Sequence, residues 1–528
     1  MGRPGGGLNM QFFGEPIEFE KQAGIGSPVW RGRAGNGEAL QAFAVAVHRA
    51  DGRLAALWGS DERLRGGGFR LHAVFGLDAG HAWLTLELPA EHPVHPDLAG
   101  IFPAANRMQR ATRDLVGIDI TGGDQRPWLR HGAWPADWFP LRHDAGEGGG
   151  FANAPCDYDF VQVGGEGAHE IPVGPIHAGI IEPGHFRFSV IGERVLRLEQ
   201  RLGYQHKGVE KLFNGRNLAE GARFAGRLSG DSTCAYAWAY AMAAEAACGV
   251  SPPPRALLLR ALMLERERVA NHLGDLGALG NDAGLAFGLS QFMRLKEDWL
   301  RLNARLFGHR FMMDRIVPGG VALDLEAPAL ASIVEQCDAI GRAVKELKKI
   351  YDEHAGLQDR FVTTGAIDAA LARELSLSGL AARATGLILD GRAHRTGYTP
   401  PPPWAMLGVR PATDERGDVA ARAAVRFAEI FESLRLLREM AVGLPDSDLR
   451  AELPPVAGGQ GLGVVEGWRG EVVVGVQLDG EGRLARVHPH DPSWQAWPAL
   501  EHAVMKDIVP DFPLINKSFN LSYSGADL

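Results

Sequence analysis

Paired cysteines are missing from this chain. Its 528 residues contain four, Cys156, Cys234, Cys248 and Cys337, and no two stand in Cys-x-x-Cys spacing. Zinc sites and iron–sulfur clusters ordinarily use that spacing, so an all-cysteine ligand set would need clustering that the sequence does not suggest. The thiols read instead as reduced and buried. Long apolar runs are missing too: none approaches the roughly 20 residues that span a bilayer. The opening Met1-Gly-Arg-Pro-Gly-Gly-Gly7 holds no apolar signal core. Cationic excess is absent, with 55 Lys and Arg against 64 Asp and Glu and a net charge of −9, which argues against a nucleic-acid partner. These absences predict a cytoplasmic chain that takes a peripheral seat on the cytoplasmic face of the inner membrane if it joins a membrane complex.

What is present is ordinary globular material, 45% hydrophobic and 23% charged, in a chain long enough for two or more domains. Residues 1–35 are Gly-rich and predict an irregular arm. Three runs predict strands: Ala42–His48, Phe69–Phe75 and His81–Leu88, with Asp51-Gly52 and Asp78-Ala-Gly80 as turns. A helix follows near Ala104–Leu115, which makes residues 36–144 a small α+β domain. Gly-rich residues 145–159 read as a linker. Beyond it, 160–528 reads as a mainly helical domain with a small β-rich patch, and the fold class is α+β. Within it, Glu170–Glu199 predicts a hairpin turning at Pro183-Gly184. Helices are predicted over Gly208–Ala225, Thr233–Cys248, Pro252–Leu279, Leu289–Phe311, Pro328–His354 and Ala420–Met440, and strands return between Val464 and Val487.

Ordered motifs then carry a resemblance. Ala104-Ala-Asn-Arg-Met-Gln-Arg-Ala-Thr-Arg-Asp-Leu-Val-Gly-Ile118 and Trp138-Phe-Pro-Leu-Arg-His143 are similar to the thirty-kilodalton subunit of respiratory complex I, although the family's acidic-basic-acidic triplet near Met108–Arg110 is altered. Residues 160–528 resemble the large subunit of membrane-bound nickel-iron hydrogenases and its complex I relative, the forty-nine-kilodalton subunit. The matching segments include Gly174-Pro-Ile-His177, Leu202-Gly-Tyr-Gln-His-Lys-Gly-Val-Glu-Lys211, Leu264-Glu-Arg-Glu-Arg-Val-Ala-Asn-His-Leu273, Val465-Glu-Gly-Trp-Arg-Gly-Glu471 and Asp511-Phe-Pro-Leu-Ile-Asn516. The fused arrangement looks like the large subunit of formate-hydrogenlyase-type hydrogenases.

The resemblance implies a specific chemistry and a specific loss. Where those hydrogenases place two Cys-x-x-Cys pairs, this chain has Ser229 and Ser232, then Ser522 and Gly525. A nickel-iron centre needs soft thiolates, and a protonated hydroxyl is a poor substitute, so no metal is expected in this chain. A hard cation on Asp231 and the serines is the competing reading. Glu210 matches the family's proton-relaying glutamate, and burial would raise its pKa toward neutrality; an ion pair with Arg216 or Arg223 is the plainer alternative. His177 matches a histidine lining the complex I quinone chamber, whose tyrosine is replaced here by Gly230, with Asp231 or Tyr236 as stand-ins. Arg469 matches an arginine over the hydrogenase metal. Glu265, His272 and Asp275 share one face of a helix that is charged throughout, read as a solvated or inter-subunit face, with a metal or proton site as the sharper alternative. Gly164-Gly-Glu-Gly167 does not follow a strand and open a helix, so it carries no phosphate-loop reading. The implied partners are a small iron–sulfur subunit, which would hold the clusters, and ion-pumping membrane-arm subunits, with a quinone as candidate acceptor and no nucleotide site in this chain. The rival readings are a non-catalytic coupling scaffold and, least favoured, an active hydrogenase.

Overall fold

The computed structural model describes residues 17–528 apart from 25, 147, 153, 155, 156, 178–180, 395–397 and 400. Cys156 lies outside the described residues; Cys234, Cys248 and Cys337 are buried free thiols.

The N-terminal region is a five-stranded sheet covered by two helices. Its elements are β1 (Phe19–Lys21), β2 (Val29–Ala34), α1 (Gly37–Arg49), β3 (Arg53–Asp61), β4 (Phe69–Leu77), β5 (Gly80–Leu88) and α2 (Ala105–Val116). The sheet order is β1-β2-β5-β4-β3, parallel only between β2 and β5. Two expectations fail here. Residues 19–34, read as irregular, supply two strands. Ala42–His48, read as a strand, is helix. The run is apolar up to His48, but the residues that enter the core are Leu40, Phe43, Ala44 and Val47, a helical spacing. Asn36 caps the helix, its side chain accepting from the Ala39 amide at 2.8 Å.

The predicted hairpin is a three-stranded antiparallel sheet of β6 (Ala168–Val173), β7 (His185–Ile191) and β8 (Arg194–Arg201). Its tight turn falls at Gly192, with φ of 60°, where glycine pays no steric penalty. Pro183-Gly184 belongs to the longer β6–β7 connection, which also carries His177. The helix expected over 208–225 is two, α3 (Val209–Phe213) and α4 (Leu218–Ala225). Gly215 turns the chain between them, and Asn217 with Glu220 forms a capping box that restarts it.

Five long helices follow: α5 (Thr233–Cys248), α6 (Pro254–Asp282), α7 (Ala286–Phe307), α8 (Ala327–Glu353) and α9 (Val419–Val442). The chain then forms an antiparallel sheet of β9 (Gln460–Glu466), β10 (Glu471–Leu478) and β11 (Leu484–His490). It ends in α10 (Ser493–Ala503), α11 (Phe512–Phe519) and α12 (Tyr523–Asp527). The two sheets meet face to face, with Trp58, Val74 and Trp83 of the first packed on Leu462, Val464 and Val473 of the second.

α5 lies against β9 at backbone contact. Gly461 and Gly463 face the Ala243 and Ala239 carbonyls, and a Cβ on either glycine would collide with that backbone. Glycine every second residue in a strand and alanine every fourth in a helix present matching small faces. α6 is buried over most of its length. Glu265 and His272 have 0% exposure and Asp275 has 5%, so the solvated face expected for them is instead interior. Each has an ionic partner there. His272 Nε2 lies 2.7 Å from Glu429, Arg426 pairs with Asp275 at 2.9 Å, and Arg392 with Glu265 at 2.8 Å.

Candidate functional site

The turn before α5, the turn between β9 and β10, and the segment before α12 converge on one cluster. Asp231 is its centre. Arg469 grips both carboxylate oxygens, Nη1 at 3.0 Å and Nη2 at 2.6 Å. Ser229 Oγ donates to the same carboxylate at 2.6 Å and lies 3.3 Å from Ser522 Oγ. Ser522 Oγ in turn accepts the Gly525 amide at 2.9 Å. Ser232 Oγ lies 3.2 Å from Arg469 Nη1 and accepts from Trp468 Nε1 at 3.1 Å. The four positions of the resemblance therefore meet in space, around an ion pair.

The surroundings fix that pair. The Arg469 guanidinium lies 4.0 Å from the Trp468 ring centroid, and its Nε donates to the Asn520 carbonyl. Asn271 and Trp468 both donate to the Asp231 carbonyl, at 2.7 and 2.9 Å. Burial pulls the Asp231 carboxyl upward, but the Arg469 charge and the hydrogen bonds from Arg469 and Ser229 outweigh it and hold it at about 2. The carboxylate keeps 36% of its side-chain surface, so the cluster opens outward on this side. Gly230 beside it is exposed, and a side chain there would meet no atom within 4 Å.

Gly525 is closed in. A Cβ on it would stand 2.6 Å from Asp491 Oδ2 and 2.8 Å from the Tyr236 hydroxyl. Those two groups form a buried hydrogen bond of 2.6 Å, and burial together with Asp491 pushes the Tyr236 hydroxyl well above its usual range. Tyr236 thus serves Asp491 and makes no hydrogen bond to Asp231. Cys234, the thiol nearest in sequence, is pushed up by burial and faces the Phe311 carbonyl at 3.8 Å.

Glu210 belongs to a different cluster. It meets Arg486 at 2.7 Å and His488 Nδ1 at 2.8 Å, both on β11. Neither Arg216 nor Arg223, the expected partners, holds it. The upward shift expected from burial is also reversed: burial raises the carboxyl, and Arg486 and His488 together bring it down to about 2. At neutral pH it is ionised. Trp58 of the N-terminal sheet stacks on His488 with centroids 4.8 Å apart, so this cluster lies on the seam between the two sheets.

His177 sits apart from both. Its two ring nitrogens are buried and have no hydrogen-bond partner among the described residues. An aromatic series leads from it toward Ser522. Phe186 is 6.1 Å from its ring, Trp497 6.3 Å from Phe186, and Tyr523 4.8 Å from Trp497. Asp491, Asn520 and Arg486 carried no motif signal, and only the folded chain brings them to these sites.

The chain is similar to known proteins over nearly its whole length. Residues 282–457 match the family described as respiratory-chain NADH dehydrogenase, 49 Kd subunit, and residues 36–149 match the 30 Kd subunit. It is 30% identical to hydrogenase-4 component G of Escherichia coli (strain K12) over 494 residues, covering 91% of this chain and 84% of that one. Formate hydrogenlyase subunit 5 of the same organism is 29% identical over 495 residues, covering 91% and 85%. A chain of the membrane-bound sulfane sulfur reductase, an archaeal respiratory membrane complex, shares the fold with a TM-score of 0.64 at 24% identity, covering 69% of this chain and 99% of that one.

Proposed function

From the premise that this chain belongs to the family of hydrogenase-4 component G and formate hydrogenlyase subunit 5, with fused complex I 30- and 49-kDa domains, we propose that it is a large subunit that works without a nickel-iron centre. It is a subunit of a complex I-related membrane oxidoreductase assembly. No helix among the described residues is long and apolar enough to cross a membrane, in keeping with a peripheral seat against partner subunits.

The observation that carries the metal-free reading is the Asp231–Arg469 pair at the point where the family's metal would be held. A guanidinium makes two charge-assisted bonds to the Asp231 carboxylate, and the three serine hydroxyls are already engaged, Ser229 with Asp231, Ser232 with Trp468 and Arg469, and Ser522 with the Gly525 amide. Such a set does not fit a soft dinuclear centre. The Tyr236–Asp491 pair against Gly525 fills the fourth ligand position. A hard cation on Asp231 would have to displace Arg469, which disfavours that alternative as well.

In this reading, electrons arrive from clusters in a small iron–sulfur partner and pass to an acceptor, with a quinone the candidate. His177 supports a quinone: its unpaired buried nitrogens are suited to a hydrogen bond with a carbonyl oxygen. The second reading, a coupling subunit without redox chemistry, draws on the packing of Trp238 against Trp404 and of the Tyr240 hydroxyl on the Leu218 carbonyl. Copurification separates the two. The tagged chain is isolated with its partners, their iron is measured, and quinone reduction is assayed in the parent and in His177→Gln. The oxidoreductase reading predicts an iron-containing partner and turnover that falls at least tenfold in the variant. Turnover absent in the parent, with partners intact, leaves the coupling subunit.

A further inference from the structure

The buried ion-pair network around α6 has an odd charge count. Arg383 meets three carboxylates: Glu429 at 2.6 Å, Glu466 at 2.8 Å and Asp390 at 3.9 Å. Arg392 meets Asp390 at 2.7 Å and Glu265 at 2.8 Å. Arg268 lies 3.4 Å from both Glu265 and Glu429. Three guanidinium groups therefore serve four carboxyl groups, all of them almost fully buried. An uncompensated charge at such depth is costly, and the ordinary remedy is to keep a proton. We infer that this network stores one exchangeable proton and that Glu466 carries it.

The geometry selects Glu466 by its partners. Glu429 holds Arg383, Arg268 and His272; Glu265 holds Arg392, Arg268 and the Ser433 hydroxyl; Asp390 takes a two-pronged grip from Arg392. Glu466 has one guanidinium, shared with two rivals, and a 3.3 Å amide from Gly391. His272 is a poor alternative, because its buried Nδ1 has no partner for a second proton. Across the β9–β10 ladder, Glu471 stands opposite Glu466, but Arg53 at 2.6 Å balances it and His81 Nε2 lies 2.9 Å away. Arg426 beside His272 is balanced by Asp275. Burial and then Asp390 raise the Glu466 carboxyl against the pull of Arg383, whereas Glu265, Asp390 and Glu429 are all lowered by their arginines.

The proton has a way in and a consequence. Asp390, Arg392 and Glu466 line a narrow cleft walled by Trp238 and Trp404. Arg268 also donates to the Glu466 and Gly467 carbonyls, at 2.7 and 3.1 Å. Those residues begin the turn that delivers Trp468 and Arg469 to Asp231. Loss of the proton would leave Arg383 and Arg268 facing an extra charge at the base of that turn, coupling proton occupancy to the position of Arg469.

The inference holds whether or not the assembly reduces quinone. It is tested on the full chain purified with its partners, by infrared difference spectroscopy across a pH titration and by melting of Glu466→Gln and Glu429→Gln. Glutamine copies a protonated carboxyl, so Glu466→Gln is expected to melt with the parent at neutral pH and to lose one protonated-carboxyl band. Glu429→Gln removes a true charge and is expected to melt well below both. Failure of Glu466→Gln to fold, melting as low as Glu429→Gln, or survival of every protonated-carboxyl band in it would each overturn the assignment.

Discussion

Replacing Glu210 with glutamine separates an ion pair from a proton carrier. In the folded chain the carboxyl titrates at about 2, against an ordinary 4.5. That difference corresponds to about 3 kcal/mol of stabilisation. Removing one member of a buried pair costs about 3–5 kcal/mol by independent reasoning, since Arg486 is left without its counter-charge. The sign follows from the downward direction. The contribution is complete above the unfolded value and fades as pH falls from about 4.5 toward 2. Glu210→Gln should therefore melt lower than the parent at pH 7, on the order of 3–5 °C for a chain of this length, and the gap should narrow on acidification below about pH 4.5. The assay is thermal melting of both proteins between about pH 7 and pH 3. No gap at neutral pH, or one that appears only in acid, would mean a carboxyl protonated near neutrality. That result would restore the proton-relay role expected from sequence.

Three further outcomes follow from the same geometry. Gly461→Ala places a methyl group on the Ala243 carbonyl and should cost about 1–3 kcal/mol, read as a lower melting temperature; Gly480→Ala, with open space around it, should cost far less. Asp527 is buried with Oδ1 unpaired, and burial lifts its carboxyl to about 7; the parent should lose stability as pH rises from about 4 to 7, and Asp527→Asn should decline less steeply in the same melting series. Restoring cysteines at 229, 232, 522 and 525 should not restore stoichiometric nickel, because the Tyr236–Asp491 pair occupies the space at 525; nickel uptake by that variant, measured by elemental analysis, would show the space to be open.

Much of the architecture was legible because long helices announce themselves. α5, α6, α7, α8 and α9 lie within a few residues of their expected spans, and their caps and prolines explain why. α1 departs from the expected strand because Ala42–Val47 is apolar at every position, which hides the period that Leu40, Phe43 and Val47 reveal with their neighbours. The charged face of α6 was misread for a related reason. Charge in a sequence suggests solvent, and only the folded chain shows that Arg392 and Glu429 arrive from far along it to satisfy Glu265 and His272. At the site, the motifs led to Ser229, Asp231, Ser232, Arg469 and Ser522, which do assemble. They gave the wrong electrostatics for Glu210, since Arg486 and His488 lie 278 residues or so away and share no motif with it.

Nickel content tests the central claim most directly. In the chain purified together with its partner subunits, elemental analysis and a hydrogen-uptake assay should find iron, no stoichiometric nickel and no hydrogen turnover. One nickel per chain, or hydrogen turnover that follows this subunit, would contradict a site closed by Asp231 and Arg469.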